Sequence, residues 1–179
     1  MINLNELKDR AYKCSCEHGF HDKELSNEHY LMLVITELSE AVEADRKSKH
    51  ADIGVFESLK DTQPEIWDWN FKYCIKDTIE DELADTVIRL FDLAGVRKID
   101  LSNRFILQNI VSKKRSFVEN VYKISKELIY YKYTLEEQIN YTIRQIFELA
   151  EIIDIDLLWH IEQKMKYNEL RESMHGKKY

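Results

Sequence analysis

Four glycines and one proline in 179 residues leave this chain little with which to build tight turns. A sheet protein of this length needs many turns, and turns draw on those two residues. Long helices joined by few loops need neither. The sequence therefore predicts an all-α helical bundle in a single domain, 1–179. Hydrophobic residues make up 44% and charged residues 33%, which suits a folded globular chain and not a disordered one. Acidic residues outnumber basic ones by 33 to 26, a net charge of -7. That balance disfavours nucleic acid as a partner, because its phosphates call for a basic footprint. Cys14, Cys16 and Cys74 are odd in number and form no CxxC, which fits a reducing cytoplasm and predicts neither disulfides nor a zinc site. The opening MINLNELKDR has no apolar core of a secretory signal. The longest apolar run, 30–35, is too short to span a membrane. The expectation is a cytoplasmic protein with no membrane partner.

Helical periodicity runs through most of the chain. It predicts helices over 4–17, ended by Gly19; from after Ser26, a suitable N-cap, to about residue 49; from Thr78; from near Ser116; from Thr134; and over about 156–172. No segment reads as a strand. Thr78-x-x-Asp81, Ser116-x-x-Glu119 and Thr134-x-x-Glu137 have capping-box spacing, the first with Asp in place of the usual Glu. Residues 50–75 read as irregular and hold Pro64, Trp67 and Trp69. Residues 78–101 align without gaps with 134–157 at an offset of 56, and nine of the 24 pairs are identical. A duplicated helix pair is the expectation.

Two carboxylate pairs stand out. Glu37 and Glu40 lie in the second predicted helix, Glu82 and Asp85 in the third. Residues at i and i+3 are neighbours on one helical face. Two such pairs on facing helices would gather four hard oxygen ligands, which magnesium prefers. Acidic pairs at this spacing are also ordinary on solvated surfaces, and others occur at Glu148/Glu151 and Glu169/Glu172. Glu37 differs from those. On a helical wheel it falls among Tyr30, Leu33, Val34, Ala41 and Ala44, where an unpartnered charge is costly. Glu40 sits at the edge of that face. Glu82 and Asp85 share a polar face with Thr78, Asp81, Arg89 and Asp92, which either meets solvent or lines a cleft. Near the C-terminus, Lys164, Asn168, Arg171 and His175 follow an i, i+4, i+7, i+11 stripe able to grip phosphate oxygens if the last helix extends that far.

The ordered set resembles a known family. ITELSEAVEADR (35–46), EDELADTVIRLFDLAG (80–95) and KMKYNELRESMHGKKY (164–179), together with HGFHDK (18–23), are similar to the MazG-like nucleotide pyrophosphohydrolases. These belong to the all-α NTP pyrophosphatase superfamily, with the dimeric dUTPases and dCTP pyrophosphatases. The resemblance implies a homodimeric or larger helical enzyme that hydrolyses nucleoside triphosphates to the monophosphate and pyrophosphate. It implies that Glu37, Glu40, Glu82 and Asp85 bind magnesium, or manganese in its place. It places Lys164 and Asn168 on the nucleotide or its phosphates, with Arg171 assisting. Glu40, at the edge of the apolar face, is the candidate to orient or deprotonate the attacking water. His21 and Lys23 receive no role.

This chain departs from the family in two places. The spacer between Glu40 and Glu82 is longer, bringing Trp67 and Trp69 either to a core, the preferred reading, or to a base. The segment 103–154 is extra. At the offset of 56, Glu82 maps to Gln138 and Asp85 to Tyr141, so the second copy lacks the acids and one working site per chain is expected. Two other classes compete: a dUTPase-like, nucleotide-specific hydrolase on the same fold, and a helical interaction protein whose acids are solvated. A di-iron bundle would need two ExxH motifs, and only Glu172-Ser173-Met174-His175 is present.

Overall fold

A computed structural model describes residues 3–62, 64–102, 109–130 and 132–172. All regular structure among them is helical. The helices are α1 (Leu4–Glu17), α2 (Asn27–Arg46), α3 (Ile53–Thr62), α4 (Trp67–Cys74), α5 (Ile79–Val96), α6 (Phe117–Ile129), α7 (Leu135–Ile152) and α8 (Leu157–Glu169), with a 3₁₀ turn at Pro64–Ile66. No helix of the described residues is long and apolar enough to cross a membrane.

The central element is α5, packed on α1, α2, α7 and α8. Its apolar residues Leu83, Val87, Leu90, Phe91 and Ala94 meet Val34, Leu38 and Ala41 of α2, Ile139, Ile143 and Ile146 of α7 and Ile161 of α8 in one core. Thirteen of the 18 residues of α5 are buried, and five of those are polar or acidic: Glu80, Asp81, Glu82, Thr86 and Asp92. A helix surrounded on most sides normally turns apolar all round. Here a polar stripe goes inside.

Two readings of the sequence change. Residues 50–75 are largely helical. Phe56 of α3 and Trp67, Phe71 and Cys74 of α4 form a second, smaller core with Tyr167 of α8. With Ile75 these side chains supply enough apolar area to hold two short helices that periodicity alone did not reveal. Trp67 is buried there and packs edge-on to Phe56, whereas Trp69 is 52% exposed and stacks on Tyr73. The last helix also ends sooner, at Glu169, with Leu170 as C-cap. Arg171 therefore lies beyond the helix, and His175 lies outside the described residues.

The repeat is visible in the backbone. Both α5 and α7 have 18 residues and a threonine N-cap, Thr78 and Thr134. Thr86 and Thr142 each donate to the carbonyl four residues earlier, at 2.7 and 2.8 Å. Each helix leaves through a residue with positive φ, Lys98 at 55° and Asp154 at 59°. Each exit is closed by a backbone bond, Ile99 to Ala94 and Ile155 to Ala150. Of positions 101–113, which would match α8, residues 103–108 lie outside the described residues. Among the described residues, what repeats is one helix with its cap and exit.

Gly95 fixes how closely α1 approaches α5. A Cβ there would stand 2.4 Å from Tyr12 Cβ and 2.7 Å from its Cγ. The helices would have to part. Gly95→Ala should lower the unfolding free energy by about 1–3 kcal/mol, the usual range for overpacking. Urea unfolding of the two proteins checks this, and equal midpoints would show that α1 can yield.

Candidate metal and phosphate site

The second helix delivers Glu37 to the interior because Tyr30, Val34, Leu38 and Ala41 recur at helical spacing on the same buried face. Glu37 is only 3% exposed. Its Oε1 accepts from Nε of Arg89, 2.9 Å away on α5. Glu40, one turn on, is exposed. Opposite them, α5 presents Glu82, also buried. One carboxylate oxygen from each of Glu37, Glu40 and Glu82 lies within 4.8 Å of the other two. Three of the four expected metal ligands thus converge from two helices.

The fourth, Asp85, faces a cation instead. Lys164 of α8 puts its Nζ 2.8 Å from Asp85 Oδ2 and 2.7 Å from Asp81 Oδ2. The ammonium is buried. Burial alone would lower its pKa, but Asp81 and Asp85 outweigh that and hold it above the usual lysine range. The sequence placed Lys164 on phosphate; in the structure its ammonium pairs with two carboxylates of α5.

Asp81 was legible only as a capping residue, and the structure gives it more to do. Thr78 Oγ1 accepts from Asp81 N–H as the spacing predicts. The return bond is shifted by one residue, from Asp77 N–H to Asp81 Oδ2 at 3.0 Å. The same oxygen meets Lys164, while Asp81 Oδ1 is buried without a hydrogen-bond partner. Asp77, Asp81 and Glu82 form a second set of three within 4.8 Å, so Glu82 belongs to both acidic groupings. Arg89 was likewise missed. A cation seven residues after Glu82, on the same acidic face, was the available signal.

A small cleft of about 40 Å³ adjoins the acids. Asp85, Arg89 and Asp92 of α5, Asn168 of α8 and Arg171 line one part, and Ser15 and Phe20 another. Asn168 Oδ1 is buried and has no hydrogen-bond partner. So Asn168 and Arg171 do reach a common cleft beside Asp85, and the polar face of α5 lines that cleft. His21 joins Asp92 at 2.8 Å and the Tyr30 hydroxyl at 3.1 Å, bracing the far end.

The second copy holds no such site. Gln138, at the place of Glu82, donates to the Leu128 carbonyl at 2.7 Å. Both acidic groupings found among the described residues lie at the α2–α5 end. No protein-family model matches this chain, and neither any curated protein nor any solved structure matches it.

Glu82 carries the electrostatic strain. Burial, then Asp85 and Asp81, push its carboxyl up to about 9. Glu37 rises for the same first reason, opposed by Arg89. A carboxyl raised in the folded state is protonated there while the unfolded chain is ionised, so the folded state binds the extra proton. Stability of the metal-free protein then falls as pH rises from about 4.5 to about 9. Glu82→Gln removes that slope. Melting in EDTA at pH 5, 6.5 and 8 should show the variant gaining on the wild type with pH. Parallel curves would contradict the account.

Proposed function

We propose that this chain is a magnesium-dependent nucleoside triphosphate pyrophosphohydrolase, releasing the monophosphate and pyrophosphate. The observation that carries this reading is the convergence of Glu37, Glu40 and Glu82 beside a cleft that also holds Asn168 and Arg171. The donor set fits a hard divalent cation: all its ligands are carboxylate oxygens, and Glu82 is held protonated in a site where a cation would replace that proton. Glu37, Glu40 and Glu82 would hold magnesium or manganese, with Asp85 beside them. When bound, the ion would screen the triphosphate and acidify a coordinated water.

The chain's own groups divide the remaining work. Glu40 is the exposed member of the triad and is the one able to accept a proton from water arriving through solvent. Arg89 donates to Glu37 and opposes the rise that burial imposes on its carboxyl. Lys164 holds Asp85 and Asp81 in place from behind. Arg171 and Asn168 face the cleft and bind phosphate oxygens, Arg171 as a cation and Asn168 through its amide. The choice of nucleotide and the attack at the α-phosphorus rest on the family resemblance. A dUTPase-like, nucleotide-specific hydrolase uses the same groups. An interaction protein is disfavoured because Glu37 and Glu82 are buried together and not solvated.

Pyrophosphate release from a panel of canonical and modified NTPs and dNTPs, with magnesium and with EDTA, tests the proposal. Magnesium-dependent release with the monophosphate as co-product is expected. Glu40→Gln should cut turnover by about 10²–10⁴-fold with little change in melting temperature, because the side chain is exposed. Near-normal turnover in Glu40→Gln and in Asp85→Asn would place the chemistry elsewhere.

A further inference from the structure

Arg171 sits past the end of α8 and lines the cleft. Its N–H still donates to the Asn168 carbonyl at 3.2 Å. Its carbonyl is met by a residue from the other side of the cleft. His18, the C-cap of α1, places Nε2 2.9 Å from Arg171 O and Nδ1 2.7 Å from Cys14 O. Nδ1 also lies 3.6 Å from Cys14 Sγ. His18 therefore ties the end of α1 to the segment after α8. The Arg171 guanidinium lies 5.6 Å from the ring of Tyr167, which stacks on Phe71 of the smaller core at 4.5 Å. Its main chain is pinned on one side and its side chain is backed on the other.

We propose that His18 is a positioning residue for anion binding, holding Arg171 at the cleft by its carbonyl. It rests on the reading of this cleft as a polyphosphate site. His18 does not touch the ligand. It acts through Arg171, and its loss lets the segment 170–172 leave α1 and carry the guanidinium away from the phosphates.

A double-mutant cycle separates this role from a general structural one. Binding of inorganic tripolyphosphate with magnesium is measured by calorimetry for the wild type, His18→Ala, Arg171→Ala and the double variant. Loss of a charged hydrogen bond to phosphate weakens binding by about tenfold or more. Each single variant should show such a loss, and the double variant should bind no worse than Arg171→Ala. Should His18→Ala not fold, His18→Gln carries the same cycle, its amide having one nitrogen to offer in place of two. Additive losses would overturn the role of His18 while leaving the polyphosphate reading intact. A wild type that binds no tripolyphosphate would overturn that reading and the role built on it.

Discussion

The structure depends on one constraint: its central helix carries carboxylates into the interior. Ions inside a protein cost several kcal/mol each unless they are paired and hydrogen-bonded. Each acid of α5 for which the structure provides a partner draws it from a different element. Glu80 accepts from His50 and the Ala51 N–H, Asp81 and Asp85 face Lys164 of α8, and Asp92 faces His21. Arg89, on α5 itself, answers Glu37 of α2. Those pairings tie the loops before α2 and α3, and helices α2 and α8, to one rod. Glu82 is the exception. No donor reaches its carboxyl among the described residues, and its pKa records that.

Charge counting around Glu82 supports the proposal that a cation binds there. Glu37, Glu40, Asp81, Glu82 and Asp85 are five acids, and Lys164 and Arg89 are the two cations placed among them. A proton on Glu82 reduces the excess, and a divalent ion would reduce it further. Folding alone gives no reason to bury this excess. Replacing buried charges with apolar side chains of similar volume is commonly neutral or stabilising. A chain that keeps them in its central helix maintains them at a cost in stability, which supports the proposed metal site.

Much of the frame was legible in the sequence, because long amphipathic helices write their period plainly. The N-caps Ser26, Thr78, Ser116 and Thr134 of α2, α5, α6 and α7 were readable for the same reason: capping is local chemistry. Residues 50–75 were not readable. The helices there are short, and α4 is held by stacking of Phe71 on Tyr167, a contact nearly a hundred residues distant in sequence. The site was half legible. Glu37 could be picked out as an acid on an apolar face, and Glu40 and Glu82 followed from spacing. The pairing of Lys164 with Asp81 and Asp85 was not readable. A lysine and an asparagine four apart look the same whether they face phosphate or carboxylates, and only the packing of α8 on α5 decides between them.

Anomalous diffraction from crystals soaked in manganese tests the central claim most directly. The account predicts one strong peak per chain bounded by the Glu37, Glu40 and Glu82 carboxylates, with any second peak on the Asp77–Asp81 side of Glu82. A structure without a peak at Glu82, with its carboxyl hydrogen-bonded to protein instead, would contradict the reading of this cluster as a metal site.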